Sequence, residues 1–209
     1  MAIGVGERLP EGALLRVGEG MPEPVQASRV FAGRRVVLFG VPGAFSDLCT
    51  TAHVPSYMRS LPRLLARGVE EVACVAVNDP FALGAWGEAT GARAAGIALL
   101  ADPTGDWVAA LGQSFDAPEV GLYRRCTRFS SLVEDGVVRL WREEEHHATC
   151  EATAGEAMLT ALGWGMAAGT ILAEPAFGAY WDRLKDRPAA LRAREIDGRL
   201  VAERQAANG

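Results

Sequence analysis

The chain has 209 residues, 49% hydrophobic, 22% charged and 7% aromatic, the balance of a folded globular protein and not of a disordered or fibrous one. Its formal charge of -5, from 21 Lys and Arg against 26 Asp and Glu, leaves no broad basic field for phosphates and argues against a nucleic-acid partner. No stretch approaches membrane-spanning length, Met1 to Pro10 lacks an export leader, and four cysteines are too few for a disulfide scaffold, so the expectation is a cytoplasmic protein acting on a small molecule.

After a Gly- and Pro-rich opening, Val36 to Val41 is a short apolar run that reads as a buried strand, stopped by Pro42 and Gly43. From Thr50 to Arg67, apolar residues recur at Val54, Tyr57, Met58, Leu61, Leu64 and Leu65, which is helical spacing; Pro55 and Pro62 are expected to bend or break that helix. Val72 to Val77 is a second buried strand, and Asp79 is placed to cap a helix over Phe81 to Ala92. Ile97 to Leu100 is a third strand, followed by Asp102-Pro103-Thr104-Gly105 and a short helix near Trp107 to Leu111. Phe129 to Val133 and Val137 to Trp141 flank Glu134-Asp135-Gly136, which predicts an antiparallel hairpin, and a helix is expected from Thr153 to Leu162. This order predicts an α/β architecture, a mixed central sheet with helices on both faces, compatible with a thioredoxin-like fold.

Cys49 follows a strand-ending turn and lies at the start of a helix, where unpaired amides and the helix dipole favour a thiolate. Ser46 can offer a hydroxyl to that sulfur or to an oxygen of its reaction partner, and Pro42 can shield it from water. Taken alone, without these neighbours, Cys49 reads more readily as an inert buried thiol than as a reactive one. Tyr123 to Ser130 supplies three arginines, Arg124, Arg125 and Arg128, which by residue type read either as a solvated cluster or as a source of a cation for an anionic sulfur.

Pro42, Ser46 and Cys49 together resemble the peroxiredoxin active-site pattern P-x-x-x-[TS]-x-x-C. The Pro42-Gly43-Ala44-Phe45 run, His53, Val77-Asn78-Asp79, Trp86 and Ala101 to Gly105 are similar to the peroxiredoxin-five type, over residues 3 to 163. Ser46-Asp47-Leu48 departs from the Thr-Pro-Thr common there. Serine keeps the hydroxyl, and Asp47 is expected to face solvent, since a carboxylate turned to the sulfur would raise the thiol pKa. The resemblance implies a thiol peroxidase acting on hydrogen peroxide and organic hydroperoxides, with Cys49 as the attacking thiol and Pro42, Ser46 and Arg128 around it. It implies no metal or organic cofactor, a homodimer, and a thiol reductant such as thioredoxin, glutaredoxin or glutathione.

Cys150 resembles the resolving cysteine of atypical two-cysteine members, which would join the Cys49 sulfenic acid in a disulfide; the alternative is an unrelated exposed thiol. Cys74 reads as a small core residue. Cys126 is open between burial beside the arginines and accessibility. Cys49 with His53, and His146 and His147 with Cys150, are spaced as zinc ligands could be, but no paired C-x-x-C exists, and His53 has a simpler role in packing or hydrogen bonding near the helix. Beyond a domain at 1–163, residues 164–209 are expected to form a helical extension, and 163–203 resembles the terminal helices of a glutathione S-transferase, without that enzyme's activity. A second reading of the whole is a peroxide-sensing redox switch or scaffold without rapid turnover.

Overall fold

The computed structural model describes residues 3–146 and 149–167, all within one unit spanning Met1–Ile171. From residue 168 on, the expected extension and its transferase likeness lie outside the described residues, as does His147.

Strands β1 (Ala13–Arg16) and β2 (Glu23–Gln26) form a hairpin that precedes helix α1 (Ala27–Phe31). Then come β3 (Arg35–Val41), α2 (Val54–Leu65), β4 (Glu71–Ala76), α3 (Pro80–Thr90), β5 (Ala98–Ala101) and α4 (Asp106–Ala110). A small hairpin of β6 (Ser114–Ala117) and β7 (Leu122–Cys126) stands apart from the main sheet, and β8 (Phe129–Glu134), β9 (Val137–Glu143) and α5 (Gly155–Ala167) follow. The main sheet has seven strands in the order β2-β1-β5-β4-β3-β8-β9. β3, β4 and β5 run parallel, while β8 pairs antiparallel with β3 and β1 antiparallel with β5.

The apolar runs form the sheet centre because they are covered on both faces. Val36, Val37, Leu38, Phe39 and Val41 are all fully buried, and each such side chain contributes roughly 1.5–3 kcal/mol of transfer free energy. Val36 and Leu38 join Ala73, Val75, Phe31 and Trp107 in the core on one face, under α1 and α4. Phe39 points to the other face and stacks on Tyr57 of α2 at 4.0 Å.

Asp79 caps α3 as anticipated, accepting from the amides of Phe81 and Ala82. Asp135 and Gly136 both have positive φ (49° and 74°), the backbone of a tight two-residue hairpin turn. Neither proline breaks the helix: it opens at Asp47, widens into a π-turn over Cys49–His53 directly before Pro55, which has no N–H to donate, and α2 continues through Pro62 to Leu65. The β1/β2 and β6/β7 hairpins and α1 carry no sequence expectation above, since their strands are four or five residues long and lie among Gly and Pro.

Candidate active site

β3 ends at Val41, and the chain turns through Pro42 to Ser46 at the carboxyl edge of the parallel strands before a helical turn opens at Asp47. Two hydrogen bonds hold this loop and a third braces the one beside it. The Ala44 amide donates to Asn78 Oδ1 at 2.9 Å, the Ser46 hydroxyl donates to the Gly43 carbonyl at 2.9 Å, and Arg125 donates to the Val77 carbonyl on the adjoining loop. Phe45 adopts a left-handed backbone (φ 61°) and is exposed. Asn78 thereby accounts for part of the Val77-Asn78-Asp79 motif: it fixes the loop while its neighbour caps α3.

Cys49 lies in the first helical turn, where amides lack intrahelical partners. The helix there widens into a π-turn, Cys49–His53, in which the Val54 amide reaches back five residues to the Cys49 carbonyl. Such single π-turns inside helices occur frequently at functional sites. Thr50 beside the cysteine is pinned by Trp86, whose Nε1 donates to its hydroxyl at 3.0 Å. Asp47 is exposed, as expected, and its place in the first turn suits a negative charge.

Arg128, the residue before β8, is buried and aims its guanidinium at the same point. Nη2 lies 3.5 Å from Cys49 Sγ, and Nη1 donates to His53 Nδ1 at 3.0 Å. The other ring nitrogen of His53 faces the Thr153 carbonyl at 3.1 Å, and the Tyr57 hydroxyl donates to the same carbonyl at 3.0 Å. Burial, with the adjacent Arg128 charge, lowers the His53 pKa to about 3, so the ring is neutral. A neutral ring that accepts at Nδ1 carries its proton on Nε2, the atom facing the carbonyl. Burial likewise raises the Tyr57 hydroxyl above its ordinary range.

Thr153 is tied in turn to Glu144. One carboxylate oxygen accepts from the Thr153 amide and hydroxyl, both at 2.8 Å, and from the Glu151 amide at 2.9 Å, while the other accepts from the Thr149 hydroxyl at 2.9 Å. Cys150 lies within this clamped segment, half-buried. Burial pushes its thiol up to about 11; Arg128 draws it down while Glu144 and Cys49 add to the rise.

The fold thus brings Pro42, Ser46, Cys49 and Arg128 to one edge of the sheet. Pro42 is buried, whereas Ser46 is exposed and spends its hydroxyl on Gly43 rather than on the sulfur. Of the three arginines, Arg128 reaches Cys49, Arg125 braces the Val77 loop, and Arg124 pairs with Asp106 at 2.7 Å on the surface. Cys74 and Cys126 are both buried, which raises their thiols well above the ordinary range and settles Cys126 as a core residue. Sequence reasoning passed over Glu144 and Thr153 and left the role of His53 general. Only the i, i+4 spacing of His53 from Cys49 was a signal, and it does not reveal the arginine between them.

The Redoxin family profile matches residues 4–159. A rice protein named Peroxiredoxin-2E-2, chloroplastic, is 38% identical over 164 residues, 77% of this chain and 72% of the relative. Among solved structures, reduced Prx3 from Vibrio vulnificus in complex with hydrogen peroxide superposes with a TM-score of 0.72 at 35% identity, covering 77% of this chain and 99% of that one. Peroxiredoxin 5 from Alvinella pompejana gives 0.68 at 29% identity, over 78% of this chain and 99% of that one. With a cysteine at a helix start beside a buried guanidinium on this sheet, the chain belongs to the redoxin family and, within it, to the peroxiredoxins.

Proposed function

We propose that the protein is a thiol-dependent peroxidase in which Cys49 reduces hydrogen peroxide or a small organic hydroperoxide. The observation that carries this reading is the 3.5 Å approach of Arg128 Nη2 to a sulfur in the first turn of a helix. Both favour the thiolate, which is the nucleophile. The sulfur attacks the terminal peroxide oxygen, an S–O bond forms as O–O breaks, and the departing alkoxide or hydroxide takes up the proton the thiol released and leaves as alcohol or water. The guanidinium faces the charge that develops on the departing oxygen. Ser46 and Pro42 complete the pocket wall, the first as a hydroxyl whose lone pairs stay available and the second as a shield.

Cys49 is left as a sulfenic acid. In our reading the Cys150 thiolate attacks that sulfur, the S–S bond forms as the S–O bond breaks, and the departing hydroxide takes up the proton the thiol gave up and leaves as water; thioredoxin, glutaredoxin or glutathione then reduces the disulfide. Cys150 is half-buried, whereas Cys74 and Cys126 are core residues, which supports this pairing. Cys49→Ser is expected to abolish hydroperoxide consumption, measured as peroxide loss with a reductant in excess; a variant that kept its turnover would refute the assignment.

A homodimer is part of the same proposal. Phe45 on the loop after β3, Phe81 in the first turn of α3 and Tyr123 on β7 are all exposed, on segments linked by the Ala44–Asn78 and Arg125–Val77 hydrogen bonds. Such a grouping of aromatics at a rim suits a second copy of the chain. Sedimentation of the wild type against Phe81→Glu tests it. We place the reaction in a reducing compartment, where four free thiols persist, and propose the cytoplasm. The rice relative is named chloroplastic, so fractionation of cells expressing the full chain decides between them.

A further inference from the structure

The geometry points to His53 as a positioning residue that, through its unprotonated Nδ1, seats the Arg128 guanidinium against Cys49. The inference rests on the peroxidase reading and concerns the same site.

Arg128 is buried and forked. Nη2 reaches the sulfur, Nη1 reaches His53 Nδ1 at 3.0 Å, and Nε has no hydrogen-bond partner among the described residues. A guanidinium is planar and rigid, so fixing one terminal nitrogen fixes where the other points. An acceptor for Nη1 therefore governs whether Nη2 meets the sulfur. A carboxylate there would compete with the thiolate for the cation. A neutral imidazole accepts the hydrogen bond and leaves the positive charge to the sulfur.

The ring is itself held on three sides. Phe39 and Tyr57 pack on it, with ring centres 5.1 and 5.6 Å away, and its Nε2–H meets the Thr153 carbonyl at 3.1 Å. That carbonyl belongs to the segment clamped by Glu144, so the orientation of Arg128 depends on a residue 100 positions along the chain from His53. The hydrogen bonds of the His53 ring go to Arg128 and the Thr153 carbonyl and not to the sulfur; it acts through Arg128.

Two substitutions separate the two ring nitrogens. In His53→Asn the side-chain oxygen occupies the place of Nδ1 and keeps an acceptor for Arg128. In His53→Gln the terminal amide reaches the place of Nε2 and keeps a donor for Thr153. His53→Gln is expected to slow oxidation of Cys49 by hydrogen peroxide about tenfold or more, the order of loss for a misplaced reacting partner. It should also raise the pH at which Cys49 becomes alkylated, followed by peptide-resolved mass spectrometry. His53→Asn is expected to stay within about fivefold of the wild type, the scale of one neutral hydrogen bond. In an Arg128→Gln background, His53→Gln should add less than about a twofold further loss, since the two act as one unit.

The inference is overturned if both variants lose equally, if His53→Gln matches the wild type, or if its loss repeats in full without Arg128. Independently of variants, imidazole nitrogen shifts of the wild type at about pH 6 are expected to show the neutral Nε2–H form, and an imidazolium or Nδ1–H form there overturns it as well. A Cys49→Ser enzyme that still turns over would instead sink the peroxidase reading. An Arg128→Gln enzyme that is slow while His53→Gln is unaffected would sink this inference alone.

Discussion

Glu144 holds Thr153 by both its amide and its hydroxyl, at 2.8 Å each, through a single carboxylate oxygen. Burial of Glu144 works to raise its pKa, but these two bonds, with those from Thr149 and the Glu151 amide, outweigh it and hold the carboxyl below its ordinary value. A depressed folded-state pKa contributes stability that is complete above the unfolded pKa of about 4.3 and is lost as pH falls through the lower folded value. Glu144→Gln keeps the shape and removes the charge. Its melting temperature is expected to lie a few degrees below the wild type at neutral pH, on a scale of about 2–4 °C per kcal/mol. The gap should close in acid below the ordinary glutamate range. A gap that stayed constant with pH, followed by circular dichroism melts, would show that the charge contributes nothing.

The same clamp bears on resolution. The Cys150 thiol is held up at about 11, so below that pH its thiolate fraction rises close to tenfold per unit. The rate of Cys49–Cys150 disulfide formation is therefore expected to climb by about that factor for each unit between pH 6 and 9. Rapid-quench mass spectrometry after one equivalent of peroxide measures it. Cys150→Ser should instead accumulate sulfenic acid or a mixed disulfide with glutathione, while its first oxidation proceeds at the wild-type rate. A linked pair that forms at a pH-independent rate would remove the thiolate of Cys150 from the step.

Arg128→Lys keeps a positive charge but has one nitrogen in place of a fork, so it cannot meet Cys49 Sγ and His53 Nδ1 in the geometry seen here. Loss of a pre-oriented donor at a developing charge costs about 10²–10³ in rate, and stopped-flow oxidation of Cys49 is expected to fall into that range in Arg128→Gln, with lysine only partly restoring it. Equal rates in all three proteins would mean that the guanidinium is a structural cation.

Cys49, Cys74 and Cys126 are all buried, but only Cys49 has a guanidinium nitrogen on its sulfur at a helix start, while burial raises the thiols of the other two, so in the native protein Cys74 and Cys126 should resist iodoacetamide at neutral pH while Cys49 reacts. Peptide mapping of alkylated cysteines checks this. Labelling of Cys126 at a rate comparable to Cys49 would show that the core around Phe129 opens readily.

How much of this was legible before any coordinates depended on the range of each interaction. The central strands were readable because burial on both faces leaves a continuous apolar run, as in Val36 to Val41 and Val72 to Val77. The Asp79 cap and the Asp135-Gly136 turn were readable because the residues that make them are adjacent. The hairpins β1/β2 and β6/β7 were not, since four-residue strands such as Glu23–Gln26, with no buried residue, give no period to count. Within the site, Pro42, Ser46 and Cys49 stood out through local spacing, and Arg128 was chosen from its neighbours only by resemblance. The acceptors that orient it, His53 and then Thr153, join residues 75 to 100 positions apart, which no local pattern encodes.

Gly155 is where α5 meets α2. A β-carbon there would lie 2.6 Å from the Ser56 carbonyl oxygen and 2.9 Å from the Tyr57 Cα, both backbone atoms that cannot swing aside. The Gly155 amide also donates to the Ser56 hydroxyl at 2.8 Å, so the close approach is hydrogen-bonded as well as packed. Gly155→Ala must push the two helices apart, at a cost of about 1–3 kcal/mol for overpacking. Thr153 lies two residues before Gly155, and its carbonyl receives His53 and Tyr57. The substitution is therefore expected to lower the melting temperature by several degrees and to slow Cys49 oxidation, although residue 155 touches neither Cys49 nor Arg128. Ser56→Gly in the same chain relieves no backbone contact and should not rescue it. An alanine variant that melts and reacts like the wild type would show that the helices adjust to each other without moving Thr153.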